Sequence, residues 1–224
     1  FKETGCEMIV AAGGGSAMDV AKSVKLYPNM DDSAEDIGQP IIPNDIPLAA
    51  IPTTAGTGSE ATRYAVIYYQ GEKQSITHES CIPSVVIFDP SSLKTLPEYQ
   101  RKATMMDALC HSIESFWSVN STDESREYST QAIGMILDSM DAYLGNEDEG
   151  NARMLKAADI AGKAINITQT TSGHAMCYKL TGLYGIAHGH AAGLCVSALL
   201  PYMIGHTDDC IDSRRKGYLD GMFI

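Results

Sequence analysis

Basic residues are scarce in this chain: 16 lysines and arginines stand against 28 aspartates and glutamates, a formal net charge of −12. Nucleic acid and anionic membrane surfaces both require a basic face, so neither is an expected partner. No apolar run approaches membrane-spanning length, and nothing at the start is built like a signal peptide. The six cysteines (Cys6, Cys81, Cys110, Cys177, Cys195 and Cys210) include no CxxC pair and sit mostly in apolar or helix-like runs. That pattern points to reduced, buried thiols in a cytoplasmic protein rather than to a disulfide framework. The GxGxxG dinucleotide fingerprint is absent, as are internal repeats and low-complexity tracts. A hydrophobic content of 44% with 20% charged residues is ordinary for a globular protein, and 224 residues suffice for one large domain or two small ones. The chain begins with Phe1 just ahead of a strand, as a fragment truncated at both ends would.

What is present centres on Asp107-Ala-Leu-Cys-His111, with His174 and His188 far downstream. Residues four apart on a helix share a face, so Asp107 and His111 can aim a carboxylate and an imidazole at one point. One oxygen and three nitrogens suit a borderline divalent metal such as Fe²⁺ or Zn²⁺, with open positions left for a substrate oxygen.

The first half reads as alternating strands and glycine-rich loops. Glu7 to Ala12 is a short buried strand that runs into Gly13-Gly-Gly-Ser16, and Ala17 to Leu26 is a helix with Ser16 near its N-cap. Strand, glycine turn and helix together present backbone N–H groups and a positive helix end to a phosphate, although a glycine triplet can equally be a tight turn. After a polar connection from Asp31 to Asp45, Pro47 to Pro52 forms a second strand. It ends in Thr53-Thr-Ala-Gly-Thr-Gly-Ser-Glu60, rich in hydroxyls and glycines. Two strands delivering such loops at their C-terminal ends suit an α/β sheet with a ligand across its edge. Ala65 to Lys73 reads as a hairpin with Lys73 on its far side, and Pro83 to Asp89 as another strand.

From about Pro97 the period changes. Arg101–Val119, Ser125–Leu144 and Asn151–Thr168 fit amphipathic helices. Ser172-Gly-His174 opens another helix that Gly182 closes, and Gly185 to His190 opens the next. The expected organisation is α/β: a partial dinucleotide-binding α/β domain over residues 1–96, then an all-helical metal-binding domain over residues 97–224.

Four stretches occur in order: Gly13-Gly-Gly-Ser-Ala-Met-Asp19, Pro52 to Glu60, Asp107 to Glu114, and Gly173-His174 with His188-Gly189. Together they resemble the iron-containing (group III) alcohol dehydrogenases over nearly the whole chain. The resemblance implies a metal set of Asp107, His111, His174 and His188, holding Fe²⁺ or Zn²⁺. It implies that Gly14, Gly15, Ser16 and Asp19 cradle the pyrophosphate of NAD(P), that Thr53, Thr54, Thr57 and Ser59 line the cofactor, and that Lys73 approaches it. It also implies an NAD(P)-linked dehydrogenase of small alcohols and aldehydes, working as a homodimer at least. The family's first βα unit, which holds the adenosine ribose, would precede Phe1, so the choice between NAD and NADP is not legible. Many members carry a histidine four residues after the first downstream ligand; Tyr178 stands there, and proton delivery through Tyr178, water or a cofactor hydroxyl remains open.

Arg63, which follows the Thr/Gly loop, Lys179, beside Tyr178, and His190, just after His188-Gly189, are three potential cations expected near the metal site, and Arg and Lys bind phosphate-like groups. The stretches Ser115–Ser121 and His174–Lys179 resemble the branch that reduces phosphonoacetaldehyde to 2-hydroxyethylphosphonate. Surface pairing of Arg63 and Lys179 with carboxylates is the plainer alternative. A metal-dependent lyase of the dehydroquinate synthase type shares the architecture, but its metal set usually carries a glutamate.

Overall fold

The computed structural model describes residues 1–29, 40–69, 72–209 and 211. Most of the connection expected from Asp31 to Asp45, the hairpin tip at Gly71 and Cys210 lie outside the described residues.

The first strand, β1 (Ile9–Gly13), leads through Gly14 into helix α1 (Gly15–Leu26), so the helix begins slightly earlier than Ser16 suggested. Helix α1 buries Met18, Ala21, Lys22, Lys25 and Leu26, the spacing of one helical face. That face packs with Ala11 of β1 and with Leu48 and Ala50 of β2 (Leu48–Pro52), which pairs parallel to β1. The hairpin is present as β3 (Tyr64–Tyr69) and β4 (Glu72–Thr77), with Tyr68 opposite Lys73. The run expected as a strand from Pro83 to Asp89 contributes only β5 (Val85–Val86), which pairs parallel to β2 and leaves β2 central in a three-stranded sheet. The side chain of Lys73 lies outside the described residues.

Five helices follow: α2 (Glu98–Trp117), α3 (Asp123–Leu144), α4 (Asp148–Thr168), α5 (Ser172–Tyr184) and α6 (His188–Gly205). Thr122 and Ser125 form a reciprocal capping box that starts α3. Helix α5 runs past Gly182 and stops at Gly185, whose φ of 66° gives the left-handed C-terminal turn that glycine adopts without a Cβ penalty. No helix among the described residues is long and apolar enough to cross a membrane, and five of the six cysteines are free thiols.

Two apolar clusters hold the helices. One joins α2, α3 and α4 through Ala108, Ala132, Ile136, Met154, Leu155 and Ala161. The other joins α2, α5 and α6 through Cys110, Trp117, Cys177, Ala192, Cys195 and Val196. Arg101 is buried at the start of α2, where Nη1 donates to Tyr143 O and Asn151 Oδ1 and Nη2 donates to Leu93 O and Asn146 Oδ1. A buried guanidinium is tolerated because its donors are satisfied in this way.

The sheet part and the helices meet without side-chain filler. Gly58 has φ +59°, and a Cβ there would lie 2.5 Å from Gly162 Cα, while a Cβ at Gly162 would lie 2.5 Å from Gly58 O. The Thr/Gly loop therefore lies directly on the backbone of α4, an approach that only paired glycines permit.

Candidate metal centre

Asp107 and His111 lie one turn apart on α2, His174 lies in the first turn of α5, and His188 is the first residue of α6. The helix packing brings the four side chains together. Asp107 Oδ1 lies 3.4 Å from His174 Nε2, 3.8 Å from His188 Nε2 and 3.9 Å from His111 Nε2. Donor atoms of Asp107, His174 and His188 all fall within 4.8 Å of one another. His111 sits beside this group, its ring stacked on His174 with centroids 4.6 Å apart.

The electrostatics are those of a cation site. Asp107 and Glu114 are two carboxylates buried within contact of these imidazoles. Burial opposes ionisation of Asp107, yet the surrounding His111, His188 and His174 hold its carboxyl well below the usual range. Burial pushes His111 down, so it is a neutral imidazole with a lone pair to offer. Burial also disfavours charge on His174, but the hydrogen bonds to Asp107 and Glu114 outweigh it and push this group up. His111 Nδ1 is buried with no hydrogen-bond partner among the described residues. Two buried carboxylates and three imidazoles converging on one of them, His111 among them held neutral, fit a divalent metal with N/O ligands.

Glu114 is a member of this buried cluster that the sequence reading did not single out. Its Oε2 takes the proton-bearing Nδ1 of His174, which leaves Nε2 free to face Asp107. Its Oε1 accepts from Thr171 N, Thr171 Oγ1 and Gly173 N at 3.0, 2.5 and 2.9 Å. Helix α5 has no side-chain cap of its own. Glu114, reaching across from α2, supplies an anion to its N-terminus and fixes the ring of His174 in the same act. The signal in the sequence was its position seven residues after Asp107, two turns along the same helix face.

The residues expected to face the dinucleotide also assemble. Gly14 lies against Thr54 and Gly15 against Thr57, close enough that a Cβ would touch each threonine side chain at 3.2 and 3.0 Å. Thr53 N donates to Gly13 O. Gly14, Gly15, Thr53, Thr54 and Thr57 are half-buried and Ser16 is exposed, so this joint surface is reachable. Asp19 and Ser59 turn inward: Ser59 Oγ donates to Asp19 Oδ1, and the buried Lys22 ammonium donates to Ser59 Oγ, Thr62 O, Thr62 Oγ1 and Tyr64 O. Their side chains fasten α1 to the end of the Thr/Gly loop. Burial pulls Lys22 down to about 8 against the attraction of Asp19.

Two of the three candidate substrate cations already have side-chain partners. Arg63 Nη1 pairs with Glu79 at 2.7 Å, and its backbone N–H donates to Asn166 Oδ1. His190 Nδ1 shares a hydrogen bond with Tyr99 Oη, which also accepts from Ala187 N. Lys179 is exposed on α5. Tyr178 is 43% exposed and its ring stacks on His188 with centroids 5.4 Å apart.

Comparison with known proteins matches this geometry. The family model described as iron-containing alcohol dehydrogenase matches residues 1–90, and that of the Fe-containing alcohol dehydrogenase family, C-terminal, matches residues 102–223. A phosphonoacetaldehyde reductase of Streptomyces viridochromogenes is 34% identical across 95% of this chain and 58% of its own length. The probable alcohol dehydrogenase EutG of Escherichia coli is 35% identical across 90% of this chain and 53% of its own. Among solved structures, sulfoacetaldehyde reductase from Bifidobacterium kashiwanohense in complex with NAD+ superposes with a TM-score of 0.86 at 32% identity, covering 99% of this chain and 62% of that one. The chain thus spans a little over half the length of the relatives it matches. With matched segments on both halves of the chain, and a metal-type donor set where the second half converges, the chain belongs to the iron-containing alcohol dehydrogenase family.

Proposed function

We propose that the protein is a metal-dependent, NAD(P)-linked alcohol dehydrogenase or aldehyde reductase, and that its substrate is phosphonoacetaldehyde, reduced to 2-hydroxyethylphosphonate. The observation that carries the reaction class is the convergence of Asp107 with His111, His174 and His188 in a buried, doubly anionic setting. In this reading Asp107 and the three imidazoles hold Fe²⁺ or Zn²⁺, and the joint surface of Gly14, Gly15, Ser16, Thr53, Thr54 and Thr57 holds the pyrophosphate side of the dinucleotide. When bound, the metal would polarise an aldehyde oxygen and the nicotinamide would supply the hydride.

The chain's own residues do the positioning. Glu114 keeps the His174 proton on Nδ1, and Asp19, Ser59 and Lys22 fasten α1 to the end of the Thr/Gly loop. Tyr178, half-exposed on the ring of His188, is our choice for the group that delivers the proton to the product oxygen. The same proposal divides the chain near residues 96–97 into a dinucleotide-binding unit and a metal-binding unit. The last strand ends at Val86 and α2 begins at Glu98. We further propose that the protein works as a homodimer at least.

The substrate rests on the relatives. One is named for phosphonoacetaldehyde and one structure for sulfoacetaldehyde, both aldehydes with a strongly acidic group. Arg63, Lys179 and His190 are the cations offered for that group. A second reading, a general alcohol dehydrogenase acting on uncharged short-chain aldehydes, is favoured by the pairing of Arg63 with Glu79 and of His190 with Tyr99.

The test is anaerobic loading of the intact protein with Fe²⁺, then loss of NADH or NADPH absorbance with phosphonoacetaldehyde, propanal and lactaldehyde. Preference for the phosphonate that collapses in Arg63→Ala supports the anionic pocket. Equal turnover of the neutral aldehydes selects the general dehydrogenase, and no turnover of any aldehyde by the metal-loaded protein refutes the reaction class.

A further inference from the structure

The two histidines nearest Asp107 are supported unequally. The His174 ring is 2% exposed and gives its Nδ1 proton to the buried carboxylate of Glu114, whereas His188 is 37% exposed at the start of α6. The sulfur of Cys177 lies 3.5 Å from His188 Nδ1 and 4.0 Å from Nε2, and Nε2 in turn lies 3.8 Å from Asp107 Oδ1. An imidazole that ligates a metal offers the lone pair of one nitrogen and carries its proton on the other. With Nε2 on the Asp107 side, the proton belongs on Nδ1, and Cys177 Sγ lies 3.5 Å from that nitrogen as an acceptor.

The sulfur is fixed in that place. Cys177 is fully buried in the apolar cluster with Cys110, Ala192, Cys195 and Val196. It sits three residues after His174, so one face of α5 presents both the imidazole and the thiol. We infer that Cys177 is a positioning residue, its sulfur accepting the Nδ1–H of His188 and holding Nε2 toward Asp107. The inference rests on the metal reading above. A thiol sulfur is a weaker acceptor than a carboxylate, so His188 is the less firmly held ligand and the strength of the whole set depends on Cys177.

The test strips the intact protein with a chelator and titrates it with Zn²⁺ alone and with Co²⁺ alone, alongside Cys177→Ala and Cys177→Ser. Positioning predicts that Cys177→Ala loses about tenfold or more in metal affinity, beside the fall in metal-free melting temperature that removing a buried sulfur brings by itself. It also predicts that Cys177→Ser recovers most of the loss, because a hydroxyl oxygen can take the same hydrogen bond. Unchanged affinity in Cys177→Ala overturns the inference. So does a sulfur-to-cobalt charge-transfer band in the parent that vanishes in Cys177→Ala, since Cys177 would then be a ligand itself. A loss of metal affinity in Cys177→Ala that Cys177→Ser does not recover assigns the residue to packing and also overturns it. A parent that binds neither ion overturns the metal reading and this inference with it.

Discussion

Glu114 on α2 and His174 on α5, sixty residues apart, share a buried hydrogen bond that sets the tautomer of the imidazole facing Asp107. One carboxylate thereby does two tasks, since its other oxygen gathers the N–H groups at the start of α5. Glutamine cannot do both. Its amide nitrogen must face either His174 Nδ1 or the backbone donors, and each choice sets donor against donor. We predict that Glu114→Gln weakens metal binding by about 10- to 100-fold and lowers the unfolding free energy by about 1–3 kcal/mol. Metal competition against a chelator, together with urea unfolding of the metal-free protein, measures both. Retention of both properties would show that Glu114 does not govern His174.

Gly189 follows His188 and lies against α2. A Cβ there would come within 2.0 Å of Ala103 O and 2.7 Å of Asp107 Cβ. Alanine must therefore push α6 away from α2 and carry His188 away from Asp107. Gly189→Ala is expected to lose metal affinity and about 1–3 kcal/mol or more of stability, as overpacking does. Gly134, in α3, has nothing within 4 Å of a Cβ. Gly134→Ala is expected to gain up to about 1 kcal/mol from helix propensity and to bind metal unchanged. Equal behaviour of the two variants would contradict the close packing of α6 on α2.

Glu60, in the short turn Ser59–Ala61 between the Thr/Gly loop and β3, is buried, and that burial, with Asp159 nearby, pushes its carboxyl up to about 7. Lys22 and Lys163 pull in the other direction without prevailing. A carboxyl raised on folding binds its proton more tightly in the folded state. Its stabilising contribution is therefore complete below about pH 4.5 and is lost as pH rises through 7. Glu60→Gln removes that titration. Relative to the parent, the variant should gain stability between pH 5 and pH 8, by up to about 3 kcal/mol. Unfolding curves at the two pH values decide it, and a gap that does not grow with pH would refute the assignment.

The sequence made some of this legible and hid the rest for physical reasons. The helices from Glu98 onward follow a 3.6-residue period, so their extents could be read closely. The strand after Pro83 shrank to two residues because an apolar run gives no information on where its pairing partner ends. Asp107 and His111 were visible as a local pair on one helix face, and the two distant histidines through the family resemblance. Glu114 escaped because its role depends on the return of α5 sixty residues later, a tertiary relation that no local pattern encodes. Arg63 and His190 looked available because only their places beside the Thr/Gly loop and His188 could be weighed, not the partners the fold gives them. The fold gives Arg63 to Glu79 and ties His190 to Tyr99, ninety-one residues away. Asp19 and Ser59 stood in the expected stretches, but Asp19 lies in α1 and bonds Ser59, which accepts from Lys22, and the burial of a lysine is not legible from its place in a helix.

The most direct measurement is the titration of the chelator-stripped intact protein with Zn²⁺, and with Fe²⁺ under anaerobic conditions, followed by calorimetry and metal analysis. One equivalent per chain, lost in Asp107→Ala and in His174→Ala while the Gly134→Ala control retains it, is the predicted result. Absence of tight binding in the parent, or binding that survives loss of Asp107, would contradict the assignment of a metal centre to Asp107, His111, His174 and His188.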